Sequence, residues 1–81
     1  MITRYVYIVV DSSTPRRFNR SVRVYRLRRD GMPVLVGRDN KLNSDVWRGA
    51  KAEAVDIVAR VEGKETDGHD FIDSNNLITG L

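Results

Sequence analysis

The chain has 81 residues, no cysteine and a single histidine, which excludes disulfides, thiolate metal sites and a histidine-rich metal site within one chain. Its 41% hydrophobic content excludes a largely disordered chain. The net charge of +3 conceals an asymmetry, because residues 1–44 carry ten cations against three carboxylates (+7) and residues 45–81 carry four against eight (−4). This asymmetry predicts an acidic partner for the first half.

The apolar segments are short. The run Tyr5–Val10 is shorter than the hydrophobic region of a signal peptide, and no small-residue cleavage site follows it. No run approaches the roughly 20 residues of a membrane span. We therefore expect a domain in the cytoplasm of the producing cell, or of a cell infected by a virus that encodes it, with no membrane contact. Because so small a core has no disulfide or metal to stabilise it, a homodimer or another partner is expected.

The first half predicts three strands. The run Tyr5–Val10 is rich in β-branched and aromatic residues and has no polar break, which favours a central strand with both faces covered. The segment 11–15 is polar, ends at a proline and predicts a loop. A second strand follows over 21–29, and its alternation slips between Val24 and Tyr25, which indicates a β-bulge.

Asp30-Gly31 separates two apolar runs by two residues, the strongest local signal of a hairpin. The third strand is predicted over Met32–Val36. Pro33 cannot donate a hydrogen bond within the sheet, which places this strand at an edge. The polar segment 37–43 predicts a loop.

A helix of about 17 residues is predicted between a cap at Asn43 or Ser44 and a stop at Gly63. Asp56 and Arg60 form a favourable pair four residues apart on its outer side. Gly49 is predicted to lie inside the helix. The apolar residues fall on one stripe at helical spacing and are expected to face the core: Val46, Trp47, Ala50, Ala54, Ile57, Val58 and Val61.

The remaining segment is ambiguous. Two apolar pairs, Phe71-Ile72 and Leu77-Ile78, flank a polar turn, and they can add a short strand, add a helical turn or dock on a partner chain. The predicted fold class is therefore α+β: a three-stranded antiparallel meander packed on one C-terminal helix, with a short apolar tail. Residues 1–63 form the predicted domain, and residues 64–81 form a tail that is partly packed or contacts a partner.

The basic residues of the first half are the candidate site, because cations spaced along a surface replace the counterions of phosphates. Three arginines and one aromatic residue are predicted in the first loop, and further arginines on the sheet. Two other interpretations stay open: arginines that pair with carboxylates of the helix and tail, or an acidic protein partner. The candidate contact residues are Arg16, Arg17, Phe18, Arg20, Arg23, Arg26 and Arg28. Tyr7 and Tyr25 are further stacking candidates if the sheet exposes them.

No arrangement of residues indicates catalysis or a cofactor. The segment Asp67-Gly68-His69-Asp70 lacks the spacing of a calcium loop and predicts a polar surface loop. The histidine has no recognisable nucleophile, and the glycines form no phosphate loop. We expect a protein that is not an enzyme and that binds no metal and no cofactor.

The segment from Tyr5 to Val61 resembles, in layout, the strand–strand–strand–helix part of double-stranded RNA-binding domains, through Phe18 before an alternating strand and the Ala-rich helix that starts near Gly49. It also resembles the arm-type DNA-binding domains of phage integrases, in which a three-stranded sheet packs on one helix. The helix start, Ser44–Arg48, lacks the basic run of the RNA-binding family. The resemblance therefore implies contact through arginines on the sheet face.

Two functions are consistent with these features. The first is a small nucleic-acid-binding accessory protein that contacts duplex DNA or RNA through its Arg-rich sheet face and first loop. The second is a small inhibitor or adaptor of the type that phages and mobile elements encode, which binds a host protein through the same basic surface.

Overall fold

A computed structural model of the chain describes residues 3–14, 17–42 and 46–74. Five elements follow one another, and the sheet order is β3-β2-β1-β4. The first three strands are antiparallel and β4 is parallel to β1. The α+β class is confirmed, whereas the predicted three-stranded sheet has four strands and the helix lies mid-chain, before β4. The elements are β1 Tyr5–Thr14, β2 Arg17–Leu27, β3 Pro33–Leu42, α1 Ala50–Glu62 and β4 Phe71–Asp73.

The first three strands are longer than their apolar runs. The segments 11–14 and 37–42 were predicted as loops, but both continue the sheet. In the first segment Asp11 pairs with Arg20 and Ser12 with Asn19. The backbone hydrogen bonds of an antiparallel ladder do not require apolar side chains, so pairing continues past the last apolar residue. As a result, Arg17, Phe18 and Arg20 lie in β2 rather than in a loop.

The local predictions around the second hairpin are confirmed. The pairing of β2 with β3 shifts register between Val24 and Tyr25, where the bulge was predicted. The turn closes through a hydrogen bond from the backbone N–H of Arg28 to the carbonyl of Met32, and Gly31 adopts φ 86°. The third strand lies at the edge of the sheet and the first in its interior, as expected.

The helix is shorter than predicted at its beginning. Gly49, which was expected inside the helix, is its N-terminal cap with φ 104°, a value that interrupts helical backbone. Trp47 therefore precedes the helix, and its predicted core position is wrong, since it is 37% exposed. The predicted caps Asn43 and Ser44 lie outside the described residues. At the other end Gly63 adopts φ 65° and ends the helix, as predicted.

The C-terminal segment contributes to the core. Phe71, Ile72 and Asp73 pair in parallel with the first three residues of β1, Tyr5–Tyr7. This is the short-strand alternative. Its direction follows from the helical crossover between β3 and β4, because β3 runs in the same direction as β1. The Phe71 ring stacks on the Tyr5 ring with centroids 4.8 Å apart. Leu77 and Ile78 lie outside the described residues.

The core lies between α1 and one face of the sheet. Because alternate strand residues share a face, Tyr5, Tyr7, Val22 and Val24 all point towards the helix. The helix contributes three buried apolar residues, Ala54, Ile57 and Val58, whereas the predicted stripe residues Val46 and Val61 are exposed. Within the described residues, no helix has the length and apolar character that crossing a membrane requires.

The helix approaches β3 most closely at Gly37. A Cβ atom at this position would lie 3.0 Å from Cγ2 of Ile57 and 3.2 Å from Cγ2 of Val61. Overpacking of this kind costs about 1–3 kcal/mol. Alanine also reduces the conformational entropy of the unfolded chain, which offsets roughly 0.4–1 kcal/mol of that cost.

We therefore expect Gly37→Ala to lower the free energy of unfolding by about 1 kcal/mol in a urea titration. Asn40→Ala is the control, because Asn40 is exposed on the same strand. A Gly37→Ala protein as stable as the wild type would show that the helix can shift away from the sheet at no cost.

Candidate functional site

The two faces of the sheet differ in what covers them. We call the face packed on α1 the helix face, and the opposite one, which carries alternate residues such as Val6, Arg23 and Arg38, the open face. The register shift at Val24/Tyr25 does not change the alternation of β2, so every second residue of this strand lies on the open face both before and after it. Each strand arginine whose side chain the structure describes therefore lies either on the helix face or on the open face.

On the helix face the arginines are neutralised. Arg20 donates two hydrogen bonds to Asp11, at 2.7 and 3.0 Å, and its guanidinium lies 4.6 Å from the centroid of Trp47. The hydrogen bonds from Arg20 lower the pKa of the Asp11 carboxyl. Arg26 donates to Glu62 at 2.7 Å. The pairing with helix carboxylates considered from the sequence is therefore present for Arg26, whereas Arg20 pairs with a carboxylate of the neighbouring strand.

A second group of ion pairs surrounds Glu53, whose side chain is fully buried. Arg48 donates to it at 3.0 Å, and Lys41 lies 3.2 Å from its second carboxylate oxygen. The hydrogen bond from Arg48 outweighs burial and lowers the pKa of Glu53. This role could not be predicted from the sequence, because a glutamate beside a helical alanine is ordinary on a solvent-exposed face.

The predicted pair of Asp56 and Arg60 is present, with a hydrogen bond of 2.9 Å. Arg60 also bonds to Asp39 of β3 and so ties the helix to the sheet edge. The helix carboxylates and Asp39 are thus engaged by cations of the helix face, and they lie on the opposite side of the sheet from Arg23.

The open face carries a different pair of arginines. Arg23 of β2 and Arg38 of β3 are direct cross-strand partners, and neither has an ion pair among the described residues. The Nε atom of Arg23 is buried and has no hydrogen-bond partner there. Like charges directly opposite each other destabilise a sheet. Repulsion between these two arginines therefore lowers the stability of the fold, and an anionic ligand would reduce that repulsion.

Apolar and aromatic side chains surround the Arg23–Arg38 pair. Tyr25 is partly exposed on the open face, whereas Tyr7 is buried on the helix face, so only the first of the two remains a stacking candidate. Leu35 is 54% exposed and Val10 is 43% exposed. The open face therefore offers two guanidinium groups that have apolar side chains nearby and the polar pair Ser21–Asn40 as their neighbour along the strands.

The remaining candidates lie at the two ends of the sheet. Arg28 lies at the end where β2 turns into β3, which we call the hairpin end, and pairs with Asp30 at 3.2 Å. Arg16 lies outside the described residues. The backbones of Arg17 and Phe18 open β2 opposite Thr14 and Ser13. Arg4 and Arg29 were not among the contact residues predicted from the sequence. Both lie at the hairpin end and form no ion pair within the described part of the chain.

The segment before β4 is a polar surface turn, as predicted. The backbone N–H of His69 donates to Asp67 at 3.0 Å, and both side chains are exposed. In the ranges 3–14, 17–42 and 46–74, no group of three His, Asp or Glu side chains is placed to hold a metal ion.

Comparison with known protein families, with curated protein sequences and with solved structures yields no match to this chain. The arrangement of its charges is therefore the basis for a functional proposal.

Proposed function

We propose that this chain is a small non-enzymatic accessory protein that binds duplex nucleic acid through its open face. The central contact is the Arg23–Arg38 pair, with Arg4 and Arg29 adding charge at the hairpin end. One observation carries the proposal. Of the arginines whose side chains the structure describes, these four form no ion pair with the described carboxylates, and Arg23 and Arg38 lie on the open face.

Free arginines matter because binding to nucleic acid depends on cations that replace condensed counterions. A guanidinium already held by a carboxylate, such as that of Arg20, brings little net charge to a phosphate. Arg23 lies four residues before the end of β2 at Leu27, which corresponds to roughly 13 Å along the strand, or the rise of about four base pairs, and Arg29 follows in the turn. The spacing suits a run of contacts along one duplex.

The shape of the surface supports a groove contact. The major groove of B-DNA admits a two-stranded β-ribbon, so the edge of the four-stranded sheet, where β3 and β2 carry Arg38 and Arg23 on one side, is the part that would approach the groove. The helix occupies the opposite side of the sheet and leaves this side accessible. This supports the sheet-reading mode of the arm-type DNA-binding domains rather than contact through the start of the helix.

The test is fluorescence anisotropy with a generic DNA duplex and a generic RNA duplex at low salt, with wild type and the double variant Arg23→Gln/Arg38→Gln. We expect micromolar wild-type binding, and a salt slope in the double variant smaller by about 1.8, since each lost phosphate contact removes about 0.9. The matched control is Lys51→Gln/Lys64→Gln, which removes the same charge from the helix side of the molecule.

Two results would overturn the proposal. One is the absence of binding to either duplex at micromolar protein and low salt. The other is an equal loss of binding in the Arg23/Arg38 variant and in the Lys51/Lys64 control, because net charge rather than the open face would then be responsible.

The apolar side chains of the open face favour a second candidate, an acidic protein surface bound by the same arginines. Val10, Tyr25 and Leu35 can pack against a protein partner around the Arg23–Arg38 pair. A pull-down from nuclease-treated lysate separates the candidates. A partner that is retained by the wild type and the Lys51/Lys64 control but lost by the Arg23/Arg38 variant supports the inhibitor or adaptor function.

A further inference from the structure

A concave site lies at the hairpin end of the sheet. The start of β1 and the turn between β2 and β3 border a cleft of about 710 Å³ that is open to solvent. Thr3, Leu27 and Gly31 form part of its wall. Four arginines complete the lining: Arg4, Arg26, Arg28 and Arg29.

Two of these arginines are held in place by carboxylates. Glu62 accepts a hydrogen bond from Arg26 at 2.7 Å and another from the hydroxyl of Tyr5 at 2.7 Å, so the carboxylate that orients Arg26 is itself anchored. Asp30 lies 3.2 Å from Arg28. Burial and the bond to Glu62 raise the pKa of Tyr5 to about 12, so its hydroxyl remains a donor at neutral pH.

The other two arginines, Arg4 and Arg29, form no ion pair within the described part of the chain. Four guanidinium groups and two carboxylates leave a net charge of +2 at the cleft. A phosphodiester inside a strand carries one negative charge, whereas a phosphate monoester carries nearly two at neutral pH. The charge of the cleft therefore matches the monoester.

We infer that the cleft at the hairpin end binds a phosphate monoester dianion, with Arg4 and Arg29 as its direct ligands and Arg26 and Arg28 as pre-oriented neighbours. Arginine suits this role because its planar fork forms bidentate hydrogen bonds with phosphate oxygens. The monoester can be the 5′-phosphate at the end of a nucleic-acid strand or that of a free mononucleotide. The inference shares Arg4 and Arg29 with the proposed function but not its central contact, because Arg23 and Arg38 lie outside the cleft.

The first experiment measures binding of a 5′-mononucleotide and of its unphosphorylated nucleoside by isothermal titration calorimetry. The second compares hairpin DNA with a 5′-phosphate or a 5′-hydroxyl end by anisotropy. If a strand end is the ligand, wild type should bind the phosphorylated end roughly 10-fold more tightly, as expected for an added charge-assisted hydrogen bond. If a free nucleotide is the ligand, only the mononucleotide should bind, and the two hairpins should be equal.

The test variant is Arg4→Gln/Arg29→Gln, which breaks no described ion pair and should fold like the wild type. It should abolish whichever preference the wild type shows, whereas Arg23→Gln/Arg38→Gln and Lys51→Gln/Lys64→Gln should keep it. Equal binding of nucleotide and nucleoside together with equal binding of both hairpins overturns the inference. So does a preference that survives in the Arg4/Arg29 variant.

The same measurements separate this inference from the proposed function. Duplex binding that depends on Arg23 and Arg38, without any preference for the 5′-phosphate or the mononucleotide, would refute the cleft and leave the open face standing. Mononucleotide binding without duplex binding would support the cleft and refute the proposed function of the open face.

Discussion

Glu53→Ala is expected to lower the free energy of unfolding by about 3 kcal/mol, because removing one partner of a buried ion pair leaves the remaining charges uncompensated. Glu53 is fully buried and holds both Arg48 and Lys41. The value is the lower end of the range for buried ion pairs, because Arg48 is half exposed and water can solvate its charge once Glu53 is removed. For a domain of this size it corresponds to a fall in Tm of about 12–24 °C.

Two isosteric variants identify the charge as the cause. Glu53→Gln keeps the shape and one acceptor oxygen, so its loss of stability should be smaller than that of Glu53→Ala. Asp56→Asn is the matched control, because Asp56 belongs to the same group of ion pairs but its side chain is 39% exposed. Exposed pairs contribute about 0–1 kcal/mol, so this variant should melt close to the wild type. Equal melting temperatures for Glu53→Ala and Asp56→Asn would contradict the prediction.

The pH dependence of stability gives an independent check. Hydrogen bonding to Arg48 lowers the pKa of Glu53 in the folded protein below its ordinary value of 4.5. A lowered folded-state pKa means that the stabilisation is fully present above the unfolded-state value and is lost as the pH falls through the folded-state value. Wild type should therefore lose stability in urea titrations as the pH falls from 4.5, whereas Glu53→Gln should show a flatter profile over the same window.

Phe71→Ala should lower the free energy of unfolding by about 3–4 kcal/mol, the usual cost of removing a buried phenylalanine. Phe71 is 7% exposed and stacks on Tyr5, which is itself buried. The loss includes both the cavity and the stacking contact, so the segment after the helix is expected to be part of the cooperative folding unit. Chemical denaturation followed by circular dichroism measures the effect.

Ile72→Ala is the matched control, since Ile72 lies in the same strand but on the open face and is only partly buried. It should cost clearly less than Phe71→Ala. A Phe71→Ala protein that unfolds at the wild-type denaturant concentration would show that residues 3–62 hold the fold without β4.

Some features of this fold depend on neighbouring residues alone, and the sequence predicted them. Asp30-Gly31 predicted the hairpin because Gly31 supplies the positive φ that its turn requires. Gly63 predicted the helix end for the same reason. The slip in alternation at Val24–Tyr25 predicted the position of the bulge, but the extra residue is Val36 of β3, and β2 keeps its alternation between faces.

Other features could not be predicted because they depend on pairing between distant segments. The parallel pairing of β4 with β1 involves residues separated by the whole of β2, β3 and α1, and three residues of Phe71–Asp73 carry little strand signal by themselves. Trp47 fell on the helical stripe, yet the backbone at Gly49 starts the helix after it. The periodicity of the apolar residues does not show at which residue the helix begins.

The α+β class, the concentration of arginine in the first half and the absence of cysteine chemistry follow from the amino-acid sequence. Which arginines are free of an ion pair depends on the fold. A shift of one residue in strand register transfers every side chain to the other face, so the register of β1, β2 and β3 places Arg20 and Arg26 beside carboxylates and Arg23 beside Arg38. The net charge of a segment follows from its composition, but the charge that a surface offers to a partner follows from which cations the fold has already neutralised.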